Sequence, residues 1–121
     1  MKNIATKSIH KKENSKDGIR ICVMRRVHPE YRFQIWIPEI APSEELIEAY
    51  VIKKTMKWKE FIKLYTLQTL SKPSVKKILQ LLVTIAQTEK ITLLCTEESA
   101  KYCHRSLIIK ECEKQKNAFK K

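Results

Sequence analysis

A chain of 121 residues, 43% hydrophobic and 31% charged, has the composition of one folded globular domain; this excludes both a disordered chain and two domains of ordinary size. Its 25 Lys plus Arg against 13 Asp plus Glu give a formal charge of +12, which favours anionic partners. No apolar run exceeds four residues, so no membrane-spanning segment and no membrane partner are expected.

Residues 1–121 are therefore read as a single α/β domain with basic ends, 1–3 and 116–121, expected to fray. The four cysteines, Cys22, Cys95, Cys103 and Cys112, follow an N-terminus without the apolar core of a secretion signal. Reduced thiols in the cytoplasm are the expectation. Lys dominates the basic residues, Ile is abundant and Gly18 is the single glycine, so compositional bias explains the charge as simply as a dedicated binding surface does.

In chain order, Ile4 to Ile9 can form a short extended segment before the turn signal Lys16-Asp17-Gly18. Ile19 to Met24 is β-branched and apolar and reads as a strand, with Arg25, Arg26 and His28 beyond its carboxyl end. Tyr31 to Ile37 alternates in places, and Pro38 makes it an edge strand at most. Ser43 is placed to cap a helix that opens with Glu44 and Glu45. Trp58, Phe61, Ile62 and Tyr65 share one helical face, read as core packing, and a helix from Pro73 to Thr88 carries Val75, Ile78, Leu79, Leu82 and Ile85. Leu81 and Val83 suggest that this helix is buried around much of its circumference. Ile91 to Cys95 is a further strand, and Ala100 to about Gln115 a final helix. Strands separated by helical stretches predict a small, mostly parallel sheet of three to four strands flanked by helices.

In such a sheet, ligands gather beyond the carboxyl ends of the strands. Cys95 stands at one such end. Thr96 to Ser99 can cap the final helix, which brings Cys103, His104 and Arg105 into its first turns, where the helix dipole and cationic side chains favour an anion. Of five arginines, Arg25, Arg26 and Arg105 follow a strand or open a helix, and arginine's planar fork suits phosphate or carboxylate. The plainer reading makes Arg25 and Arg26 solvated loop charges and pairs Arg105 with a nearby carboxylate.

A cysteine near a helix N-terminus beside His and Arg is also activated as a nucleophile. Against this, adjacent helical residues point about 100° apart, so His104 would not face Cys103, and free cysteine is commonly a small buried hydrophobe. The spacing does not match a phosphatase loop, and neither Cys95 with Cys103 nor Cys103 with His104 has the separation of structural zinc ligands. No metal is expected, with a Cys22, Cys95, Cys103 site the weakest reading; no cofactor is specified.

Asp17-Gly18-Ile19-Arg20-Ile21, Trp36 with Ala41-Pro42-Ser43-Glu44-Glu45-Leu46, Lys57-Trp58-Lys59-Glu60-Phe61 with Tyr65, and Thr92-Leu93-Leu94-Cys95 with Cys103-His104-Arg105 together resemble the Domain of Unknown Function 488 (YeaO-like) family, in the branch that carries Cys-His-Arg. The resemblance spans nearly the whole chain. It implies a small intracellular α/β domain whose biochemical activity is not established. Many relatives carry an Asp-Arg-Leu-Trp-Pro-Arg-Gly type segment after the second strand, whereas this chain reads Met24-Arg25-Arg26-Val27-His28-Pro29-Glu30.

The leading functional expectation is an anion-binding pocket for a phosphorylated small molecule or nucleotide, lined by Arg25, Arg26, Cys95, Glu97, His104 and Arg105. His104, Cys103 and Glu97 are the candidates for catalysis. One alternative is a non-catalytic module in which Lys-rich faces at 2–16, 53–63, 72–77 and 110–121 track nucleic acid or meet a protein, and a third reading is a thiol redox or metal role for Cys95 and Cys103.

Overall fold

The computed structural model describes residues 3–119, with side chains as far as residue 116. Residues 1, 2, 120 and 121, part of the ends expected to fray, lie outside the described residues.

Four parallel strands form one sheet in the order β1-β4-β2-β3, with β1 Ile4–Ser8, β2 Ile19–Cys22, β3 Ile35–Trp36 and β4 Ile91–Cys95. β4 sits between β1 and β2, pairing Ile91 with both Ile4 and Ile19. Its five residues are all buried, as a strand covered on both faces requires. β3 is the edge strand that Pro38 implies.

The helical segments are α1 Glu44–Ile47, running into a wide π-helical turn at Glu48–Ile52; α2 Trp58–Tyr65, extended by a similar turn at Thr66–Leu70; α3 Pro73–Ile85; and α4 His104–Phe119. The parallel pairing does not arise from a helix between every two strands. β1 reaches β2 through one short 3-10 turn at Ser15–Asp17, and β2 reaches β3 through an irregular loop. Three of the four α-helices lie in a single long excursion between β3 and β4.

Local chemistry explains the boundaries. Asn14 caps the 3-10 turn and Asp17 reciprocates by accepting the Asn14 N–H. Gly18 then takes φ 66°, and a Cβ there would lie 2.2 Å from the Lys90 carbonyl oxygen, the oxygen that accepts the Ile19 N–H. The turn therefore seats β2 directly on β4. Arg20, a charged residue in a strand core, is almost fully buried; its guanidinium meets the Asp17 carboxylate at 2.6 Å, and Lys7 reaches the same carboxylate at 3.0 Å. Ser43 accepts the Leu46 N–H as expected of its cap position.

The core beneath the sheet gathers Ile21, Val23, Ile40, Phe61, Tyr65, Leu79, Val83, Leu93 and Ile108. The aromatic stripe on α2 is core, as its spacing implies, with Phe61 and Tyr65 buried. Leu81 is 63% exposed, so α3 is less enclosed than its apolar content suggests. The final helix begins at His104, four residues later than its pattern, and its backbone continues to Phe119, into the segment expected to fray. Residues 96–103 form an irregular loop between β4 and α4. Among the described residues, no helix is long and apolar enough to cross a membrane.

A candidate cysteine active site

A cleft of about 760 Å³ opens beyond the carboxyl ends of β2 and β4. The segment after β2 contributes Met24 and Arg25 to it, β4 contributes Cys95, the loop before α4 contributes Thr96, Glu97, Tyr102 and Cys103, and α4 contributes His104. The opposite wall comes from residues 47–56, where the π-helical turn and Lys54, in the left-handed region at φ 55°, direct the chain back toward α2. Tyr50 closes this wall by donating its hydroxyl to the Tyr102 carbonyl at 3.0 Å. Ile47, Tyr50, Val51, Met56 and Phe61 make much of the lining apolar.

Cys103 stands just before the first residue of α4, outside the helix. The 100° separation of neighbouring helical side chains therefore does not apply to it, and His104 does face it. Cys103 Sγ and His104 Nδ1 lie 3.6 Å apart. His104 Nε2 is 2.7 Å from the Val23 carbonyl oxygen, which can only accept, so Nε2 carries a proton. One further proton is then shared between Nδ1 and the sulfur. The Tyr65 ring, edge-on to His104 with centroids 5.8 Å apart, helps fix the imidazole plane.

Arg105 adds a charged donor to that sulfur. Its guanidinium is fully buried and donates to the Lys7 carbonyl at 2.6 Å, the Glu97 carbonyl at 2.7 Å and Cys103 Sγ at 3.3 Å. Of these three partners only the sulfur can become an anion, and a buried cation favours a negative neighbour. The hydrogen bond from the Cys95 thiol, the His104 side chain and the Arg105 backbone N–H act the same way, and together they outweigh burial to hold the Cys103 thiol well below its ordinary range. The same contact with Cys103, followed by burial, pushes Cys95 up. These contacts favour the thiolate at Cys103 and the protonated thiol at Cys95.

The sequence-predicted residues thus separate. Cys95, Cys103, His104, Glu97, Arg25 and Arg26 all border the cleft, whereas Arg105 lies behind Cys103 and does not line it. Arg25 spends two donors on the carbonyls of Pro42 and Ala41, at 2.7 and 3.1 Å, and so secures the loop before α1. Arg26 pairs with Glu44 in solvent at the rim. The Glu97 side chain is exposed, and its backbone carbonyl is what holds Arg105. Val23, Tyr50 and Tyr65 were not legible as site residues; a backbone carbonyl carries no sequence signal, Tyr65 reads as a core aromatic, and no local pattern marks Tyr50.

The Cys95 and Cys103 sulfurs and a His104 nitrogen lie within 4.8 Å of one another, a soft-metal donor set in which His104 rather than Cys22 joins the pair. Arg105 works against a second cation at that point, since its charge already rests on the Cys103 sulfur.

The family model for the active DUF488-N3 subclade matches residues 4–116. No curated protein and no solved structure matches the chain.

Proposed function

The chain belongs to the DUF488 family, and we propose that its cleft is the active site of a group-transfer or hydrolytic enzyme whose nucleophile is the Cys103 thiolate. The observation that carries this reading is the pair of contacts on one sulfur, Arg105 Nε–H at 3.3 Å and His104 Nδ1 at 3.6 Å, at a helix N-terminus in the wall of an apolar cleft. The thiolate attacks an electrophilic centre of the substrate and forms a covalent bond to it. His104 Nδ1 returns the proton to the leaving group, and Arg105 acts as a positioning residue that keeps the charge on sulfur.

The ligand suited to this cleft has an apolar body and an anionic group. Tyr50, Val51, Met56 and Phe61 offer the apolar wall, and at the opening Lys54 supplies a positive charge beside Arg26, which is paired with Glu44. This narrows the anion-binding expectation, because Arg105 and two donors of Arg25 are already committed to the protein's own backbone.

The test uses a chromogenic ester with an apolar acyl group. A stoichiometric burst of leaving group is expected, with the acyl adduct mapped to Cys103 by peptide mass spectrometry and lost in Cys103→Ala. Alkylation of wild-type Cys103 no faster than that of a free thiol at about pH 6 would overturn the reading.

A further inference from the structure

Cys95 is not needed as a nucleophile in that mechanism, yet it ends the central strand with its thiol against the Cys103 sulfur and its residue facing the same cleft. Its backbone is held in place by Ile9, whose N–H donates to the Cys95 carbonyl at 2.7 Å. Both cysteines are free, and the two sulfurs come from different elements, β4 and the loop before α4. The loop residues between them are largely exposed, and the two sulfurs lie within 4.8 Å of each other.

We propose that Cys95 is a resolving thiol, and that the Cys103–Cys95 pair reduces an organic hydroperoxide while it converts to an intramolecular disulfide. The inference rests on the nucleophile reading above. The Cys103 sulfur attacks the terminal peroxide oxygen and the O–O bond breaks. The departing alkoxide takes the proton of His104 Nδ1 and leaves as an alcohol, and Cys103, oxidised by two electrons, becomes a sulfenic acid. The Cys95 sulfur then attacks the Cys103 sulfur. The S–O bond breaks and the hydroxyl leaves as water with the proton of the Cys95 thiol. A dithiol reductant restores both thiols and is itself oxidised to a disulfide.

The site also sets the direction in which the couple leans. Forming the disulfide removes the negative sulfur to which buried Arg105 donates, while the reduced form keeps it. Stabilising the reduced form makes the disulfide easily reduced, and the pair cycles rather than locks.

The experiment treats the full reduced chain with one equivalent of cumene hydroperoxide, after its alkylation rate by iodoacetamide has been measured at about pH 6. Expected are loss of two hydrogens from the intact mass, a Cys95–Cys103 cross-linked peptide, loss of Cys103 alkylation, and full recovery with dithiothreitol. Cys95→Ser, which keeps a donor beside the sulfur, is expected to leave a sulfenic acid at Cys103 that dimedone traps. Oxygen added to Cys103 of the wild type without a cross-link, or a cross-link to Cys22, Cys112 or a second chain, overturns the resolving role. Fast initial alkylation with that outcome leaves the nucleophile reading standing, whereas slow initial alkylation removes both. If Cys95→Ser fails to fold, the wild-type cross-link map alone decides.

Discussion

Arg105 and Cys103 are two residues apart in the chain, yet the guanidinium folds back to place its Nε–H 3.3 Å from the Cys103 sulfur. Its other donors clamp the Lys7 carbonyl on β1 and the Glu97 carbonyl in the loop before α4. One side chain therefore ties an edge strand, the loop before α4 and the Cys103 sulfur together. Lysine cannot replace it, having one point of charge where three directions are served. Arg105→Lys is expected to cost about 3 kcal/mol in urea unfolding and to move the onset of Cys103 alkylation to higher pH. Unchanged stability would show that the three contacts are not formed.

The pH dependence of the thiols has a defined sign. Cys103 is held below its ordinary value of 9.0 by Cys95, His104 and Arg105, against its burial, and Tyr50 and Tyr65 also face it. Its contribution to stability is complete above that value and is lost as pH falls through the folded-state value. Alkylation of Cys103 is expected to stay nearly constant between about pH 8 and pH 6, where an ordinary thiol slows about a hundredfold. Burial instead raises Cys22, and it pushes Cys112 up to about 12. Their contributions are present below 9.0 and lost as pH rises through the raised values, so both should resist alkylation throughout. Peptide-resolved mass spectrometry across the pH series checks all three at once.

The Asp17 carboxylate serves two cations, Lys7 at 3.0 Å and the buried Arg20 at 2.6 Å. Burial alone would raise its pKa, but the Lys7, Asn14 and Arg20 contacts prevail and hold it below 3.8. Its contribution is therefore present above that value and lost as pH falls through the folded value. Asp17→Asn leaves Arg20 buried without its anion, and a loss of about 3 kcal/mol is expected at neutral pH, with little further loss in acid. Chemical denaturation at two pH values separates the terms.

Gly18 has no room for a side chain and adopts a φ that L-residues rarely take. Gly18→Ala must push the Lys90 backbone away from β2 at the point where Ile19 donates to it. A loss of about 3 kcal/mol or more is expected, seen as a lowered urea midpoint, and faster hydrogen exchange should appear at the Ile19 amide. An alanine variant as stable as wild type would mean that the turn has another geometry.

Tyr65 is fully buried and donates its hydroxyl to the Ile40 carbonyl. Tyr65→Phe keeps the packing against His104 but leaves that carbonyl unsatisfied. About 1–3 kcal/mol should be lost in thermal or urea unfolding, while Cys103 alkylation is expected to change little. A large change in alkylation would instead make the Tyr65 hydroxyl part of the site's electrostatics.

The sequence by itself determined what depends on neighbours in the chain. Alternation and apolar runs located the strands, i, i+3, i+4 spacing located α2 and α3, and Ser43 and Gly18 marked a cap and a turn. The Cys-His-Arg stretch stood out for the same reason, since helix-opening chemistry is local.

Only the tertiary structure decided what that chemistry faces. α4 starts only at His104, after the loop of residues 96–103, and that single shift frees Cys103 from helical geometry and leaves it facing His104. Arg105 was legible as a ligand for an anion, but its partners are carbonyls 98 and 8 residues away, set by the pairing of β1 with β4. Cys95 meets Cys103 because the loop after β4 brings the chain back to the end of that strand. Hydrogen bonds to backbone carbonyls depend on where the chain returns in space, and residue identity at one position carries no record of it.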